Sequence, residues 1–121
     1  MAVNVGKLKR MVQEVDRMEH MFDTRMMEED EYKREYKKME TLGNQAERMI
    51  DNAWDQNARE LTQIEKTIQA TKRSGGSRVN SKALAAKLQQ LLDERTVISR
   101  LMDELNDLDW EYHKPDGRRF E

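Results

Sequence analysis

Apolar residues recur along this chain at alternating steps of three and four, with charged residues filling most positions between them. Heptads counted from Leu8 place Leu8, Val15, Phe22 and Tyr36 at one core position and Met11, Met18, Tyr32 and Met39 at the other. Arg25 and Glu29 interrupt this stripe midway. Sustained spacing of this kind predicts a helix that packs along one face, and the expected first helix runs from Val5 to about Leu42. The acid-before-base pairs Glu29–Lys33 and Asp30–Arg34 add support at i,i+4.

Leu42-Gly43-Asn44-Gln45-Ala46-Glu47 combines a helix stop with a helix start. Gly43 can close one helix in the left-handed conformation, and Asn44 with Glu47 has the form of a capping box for the next. The heptad phase nevertheless runs through the glycine and lands on Ala46, Ile50, Ala53 and Ile64. A reversal through one or two residues is also shorter than most helix connections. The favoured reading is therefore a Met-rich first segment, residues 1–43, continuous or kinked into a hairpin over 44–109. The alternative is a three-helix fold with the first helix turned back.

In the hairpin, Trp54, Leu61 and Ile68 form a second stripe beside the first. Asn57 takes a core position, where a polar side chain fixes register at some cost in stability. Ser74-Gly75-Gly76-Ser77 marks the turn, after which Asn80 is the expected N-cap and Val79 a staple on Leu84. The third helix carries Leu84, Leu88, Leu91, Ile98, Met102 and Leu105, widened by Leu92, Val97, Leu101 and Leu108. So broad an apolar face calls for more than one neighbour. Two hairpins pairing into a four-helix bundle would supply it, as would a folded-back first helix. The expected fold is thus all-α and coiled-coil-like, a long helix followed by an antiparallel hairpin, assembled as a homodimer.

Pro115 ends helical geometry in the tail, residues 110–121. Hairpin counting returns Trp110 to the level of Gly43, where the missing side chain leaves room for a ring, with Tyr112 close by. The tail is then a latch, and Arg118-Arg119-Phe120-Glu121 reads as a disordered end in preference to a short binding peptide.

Composition narrows the picture. The 121 residues suit one domain; 36% are hydrophobic and 38% charged, with five Gly and one Pro. Globular domains carry about half apolar and about a quarter charged residues, so long mutually supporting helices fit better than a thick core. There is no cysteine, which excludes disulfides and thiol chemistry. No apolar run approaches the ~20 residues of a membrane span, and Met1-Ala2-Val3-Asn4-Val5-Gly6-Lys7 lacks the apolar core of a signal peptide. A soluble cytoplasmic protein without membrane contact is expected.

The net charge of −2 selects no partner, but its distribution is uneven. Between Lys66 and Leu92 there is no acidic residue, whereas Lys72, Arg73, Arg78, Lys82 and Lys87 are basic. Lys72, Arg73, Arg78 and Lys82, in the turn region 72–82, are the candidates for contact with an anion or with nucleic-acid phosphates. The tip has no aromatic residue for base stacking, and Ser74-Gly75-Gly76-Ser77 lacks the ending of a P-loop. The same charge could meet the acidic end of another copy, or simply keep a loop solvated.

A second candidate surface is the seam Met11, Met18, Phe22, Tyr32, Tyr36 and Met39, because Met side chains adapt to irregular partners. Ordinary core filling is the competing explanation. Glu28-Glu29-Asp30-Glu31 reads as a solvated helix face, since consecutive carboxylates point around a helix instead of converging on an ion. His20 and His113 are the only histidines and lie far apart in sequence. No catalytic residue, cofactor or metal ligand is expected. The functional expectation is a non-enzymatic assembly or adaptor protein that self-associates and binds a protein partner through its long helix; the alternative is a nucleic-acid binder using the basic tip.

Overall fold

The computed structural model describes residues 4–73, 78–108 and 110–115, with 78–81, 111 and 112 as backbone only. Every element among them is helical: α1 spans Val5–Thr24, α2 Glu29–Arg73 and α3 Arg78–Asp107, followed by a short 3₁₀ turn over Trp110–His113. The backbone of α3 starts ahead of the expected Asn80 cap. The Ser74–Ser77 turn, the Val79 staple, the side chains of Arg78, Asn80 and Tyr112, and the end from Arg118 lie outside the described residues.

The first helix does not run to Leu42. Asn4 caps α1, its side chain accepting a hydrogen bond from the Lys7 N–H at 3.0 Å. The helix then stops at Thr24, where Arg25 turns extended (φ −117°, ψ 131°) and donates its N–H to the Met21 carbonyl. α2 begins at Glu29, and the Tyr32 N–H reaches the Glu28 carbonyl at 2.8 Å. The break falls where Arg25 and Glu29 interrupt the heptad stripe. Its cause is legible in the charges: Glu29, Asp30 and Glu31 occupy the first turn of α2, where the positive end of the helix dipole favours carboxylates. The acidic run is exposed at 28–30, as a solvated face is, and it opens α2 where one continuous helix was expected. Arg25 pairs across the reversal with Glu31 at 2.9 Å.

α1 therefore folds back on α2, which is the three-helix alternative with its reversal moved from Gly43 to residues 25–28. α2 itself passes through Gly43 without interruption. A single core joins Leu8, Val15, Met18 and Phe22 of α1 to Met39, Ala46 and Ile50 of α2 and to Ile98, Leu101 and Leu105 of α3. The broad apolar face of α3 over 97–108 finds both its neighbours in its own chain. That removes the packing reason for a second hairpin at this level.

The tail closes the same core. Trp110 is buried in it, and a Cβ built on Gly43 would sit 3.2 Å from the indole Cε2 and 3.3 Å from Cζ2. The expected latch on the glycine is present.

The core cluster stops near Ala53 and Val97. Beyond it α2 and α3 continue as a pair. Leu61 and Leu91 are buried there, but Ile64, Ile68, Leu84 and Leu88 are only half-buried. From Asn57 to Arg73 this arm is about 24 Å long at ~1.5 Å per residue. The molecule is a three-helix base that carries a two-helix arm. Among the described residues, no helix is long and apolar enough to cross a membrane.

Candidate functional site

The arm is set in register at its root. Asn57 is fully buried, and its Nδ2 donates to the Leu91 carbonyl at 2.9 Å, with Glu94 Oε1 at 3.4 Å. Its Oδ1 has no hydrogen-bond partner among the described residues. Beside it the Arg95 guanidinium lies 3.8 Å from the centre of a Trp54 ring, a cation–π contact that covers the indole. Polar and aromatic groups thus clamp the two helices together where α1 stops supporting them.

Charge divides at the same place. Residues 58–91 hold seven basic and two acidic side chains; the rest of the chain holds fifteen basic and twenty-two acidic. Lys72 and Arg73 end α2 and are exposed, as are Lys66, Lys82 and Lys87. Lys72, Arg73 and Lys82 therefore sit on the distal part of one arm. The backbone of Arg78 opens α3 there, and its side chain is outside the described residues.

The proposed seam is placed differently. Met18, Phe22, Tyr32, Tyr36 and Met39 are buried and Met11 is half-buried, all facing the chain's own core. Phe22 meets Tyr32 edge-on at 4.8 Å and Tyr36 at 6.5 Å between ring centres. A partner could reach these side chains only by displacing α1. The adaptable Met residues fill the irregular space between helices that cross back on each other, and core filling accounts for them.

A third cluster was not anticipated from the sequence. Asp16, Glu19, His20 and Asp23 follow i, i+3, i+4, i+7 spacing and share one face of α1. The 3₁₀ turn brings His113 against that face. Its ring is 2% exposed, stacks on Phe22 at 5.2 Å, and its backbone carbonyl accepts from the Tyr32 hydroxyl at 2.7 Å. His113 Nε2 lies 3.1 Å from Glu19 Oε1 and 3.9 Å from Asp23 Oδ1. On the other side of Glu19, His20 Nδ1 is 3.6 Å from Oε2 and 3.2 Å from Asp16 Oδ1. The Asp16 backbone carbonyl, and then its carboxylate, raise the His20 pKa above the ordinary value. Both histidines of the chain therefore converge on one glutamate, although they lie far apart in sequence. The four-residue face of α1 could have been read from spacing. The arrival of His113 could not, because it depends on how the tail closes.

No known family model, curated protein or solved structure matches this chain significantly.

Proposed function

We propose that this is a non-enzymatic assembly or adaptor protein that self-associates through its projecting arm. The observation that carries this reading is the half-burial of Ile64, Ile68, Leu84 and Leu88 on a helix pair that no third helix covers among the described residues. Two helices cannot enclose so wide a stripe, and a second arm laid on the first would complete a four-helix bundle. Charge favours an antiparallel arrangement. Side by side in parallel, two arms of net positive charge repel. Antiparallel, each basic tip reaches the root of the partner arm, where Asp51, Asp55 and Asp93 are exposed. Such a contact is two-fold symmetric and closes on itself as a dimer. The long helix α2 is then the binding element, and its partner is a second copy.

Light scattering on the eluting protein tests this directly. The expected mass is twice the 14.4 kDa of the chain, falling to the single-chain value for Ile68→Glu with Leu84→Glu while helical circular dichroism persists. A wild-type mass of one chain at every concentration would refute it.

The charge distribution supports a second reading, contact with nucleic-acid phosphates through Lys72, Arg73, Arg78 and Lys82. Binding of this kind weakens steeply with salt and ignores sequence. Arg73→Glu with Lys82→Glu should then abolish retention of a duplex at low salt; unchanged retention would eliminate this reading.

A further inference from the structure

We propose that Glu19, Asp23 and His113 form a binding site for a divalent first-row transition ion of the zinc type, which fastens the tail to α1. One imidazole and two carboxylates are a donor set suited to such ions. Their ligand atoms, together within 4.8 Å of one another, already approach the required spacing. Donors bound tetrahedrally at about 2.0–2.1 Å stand roughly 3.3 Å apart, and the Nε2–Oε1 and Nε2–Oδ1 separations of 3.1 and 3.9 Å bracket that value. The exposed Asp23 carboxylate would move toward Nε2 to bring all three atoms onto one centre.

The buried imidazole distinguishes this cluster from an ordinary acidic helix face. His113 is held by the Phe22 stack and by the hydrogen bond from Tyr32 to its carbonyl, so its Nε2 direction is set by the core before any ion arrives. Glu19 is 14% exposed at its side chain and Asp23 is 58% exposed, which leaves an entry path on the Asp23 side. A Glu19–His113 hydrogen bond uses one proton on one oxygen and leaves Asp23 at 3.9 Å, beyond hydrogen-bond reach of Nε2. An ion uses all three groups, and it also neutralises two carboxylates one helical turn apart, which otherwise repel. A fourth position, open toward solvent, would hold water. The bound ion would join the 3₁₀ turn to α1 and so add its binding free energy to folding of the base.

The test is calorimetric titration of Zn²⁺ into the untagged, chelator-treated full chain at neutral pH, read beside thermal melting. One ion per chain and a raised melting temperature are expected. Asp23→Asn keeps the Glu19–His113 hydrogen bond and removes the carboxylate repulsion, so its metal-free melting should be no lower than the wild type while its Zn²⁺ affinity falls by about tenfold or more. His113→Gln should abolish binding, and His20→Gln should leave it unchanged. Absence of saturable binding at micromolar Zn²⁺ would overturn the proposal. So would wild-type affinity in Asp23→Asn, or loss of binding in His20→Gln alone, which would put the ion on the exposed Asp16–His20 turn.

Discussion

Gly43 and Trp110 show how one missing side chain can decide a contact between residues far apart in the chain. A glycine inside a helix costs up to ~1 kcal/mol relative to alanine, yet here the indole occupies the space a methyl group would need. Replacing Gly43 by alanine should therefore gain nothing in the wild type. In a Trp110→Ala background, which itself costs about 3–5 kcal/mol, the same substitution should stabilise by up to ~1 kcal/mol. A urea-denaturation double-mutant cycle measures this coupling. Asn57 makes the opposite trade, burying an amide whose oxygen has no hydrogen-bond partner among the described residues in order to hold α2 against Leu91 and Glu94. Asn57→Leu should raise stability by about 1 kcal/mol in the same assay, with a loss of arm register visible as doubled amide NMR signals near residue 91. The Trp110 latch was readable by counting residues along the hairpin, because antiparallel helices share one rise per residue. The His113 contact was not, since a 3₁₀ turn after α3 changes direction in a way that periodicity does not record.

At the scale of elements, the heptad stripe named most of the buried residues of α1 and α2, though Met11 and Ile64 are half-buried and the buried Val12 lies outside it, and it misread their connection. Leu8, Val15, Phe22, Tyr36, Met18, Tyr32 and Met39 are all buried, as a stripe requires. A stripe is equally satisfied by a second helix or by the same chain folded back, so it carries no information about where a reversal falls. The information lay in the polar residues, in the acids that open α2 and the Arg25–Glu31 pair that spans the turn. Neutralising Glu29, Asp30 and Glu31 together as Gln, Asn and Gln should cost about 1–2 kcal/mol by removing favourable charge from a helix start, measured as a shift in the urea midpoint. Base and arm should also differ in dynamics. The arm has fewer buried apolar side chains per turn, so amides of 62–72 and 82–90 should exchange hydrogen through local opening well before those of 36–53 and 97–105. Equal protection along α2 would mean that something covers the arm in solution, and a mass measurement at the same concentration would tell whether it is a second copy.

For the whole molecule, the separation of charge and of packing coincide. The acidic base buries its core within one chain, whereas the basic arm leaves its stripe half-covered, and the proposed tip-to-root pairing of arms rests on these two properties. The absence of cysteine makes the decisive measurement clean: pulsed electron–electron distances between spin labels on Lys66→Cys, at mid-arm, compared with Lys72→Cys, near the tip. Helices packed at ~8–10 Å with label arms added should give roughly 20–30 Å between the two copies at mid-arm. Antiparallel pairing should set the tip labels farther apart along the axis by about 18 Å, from six residues of rise on each chain. Parallel pairing would make the tip distance as short as the mid-arm one, and no dipolar coupling at either site would mean that the arms do not pair.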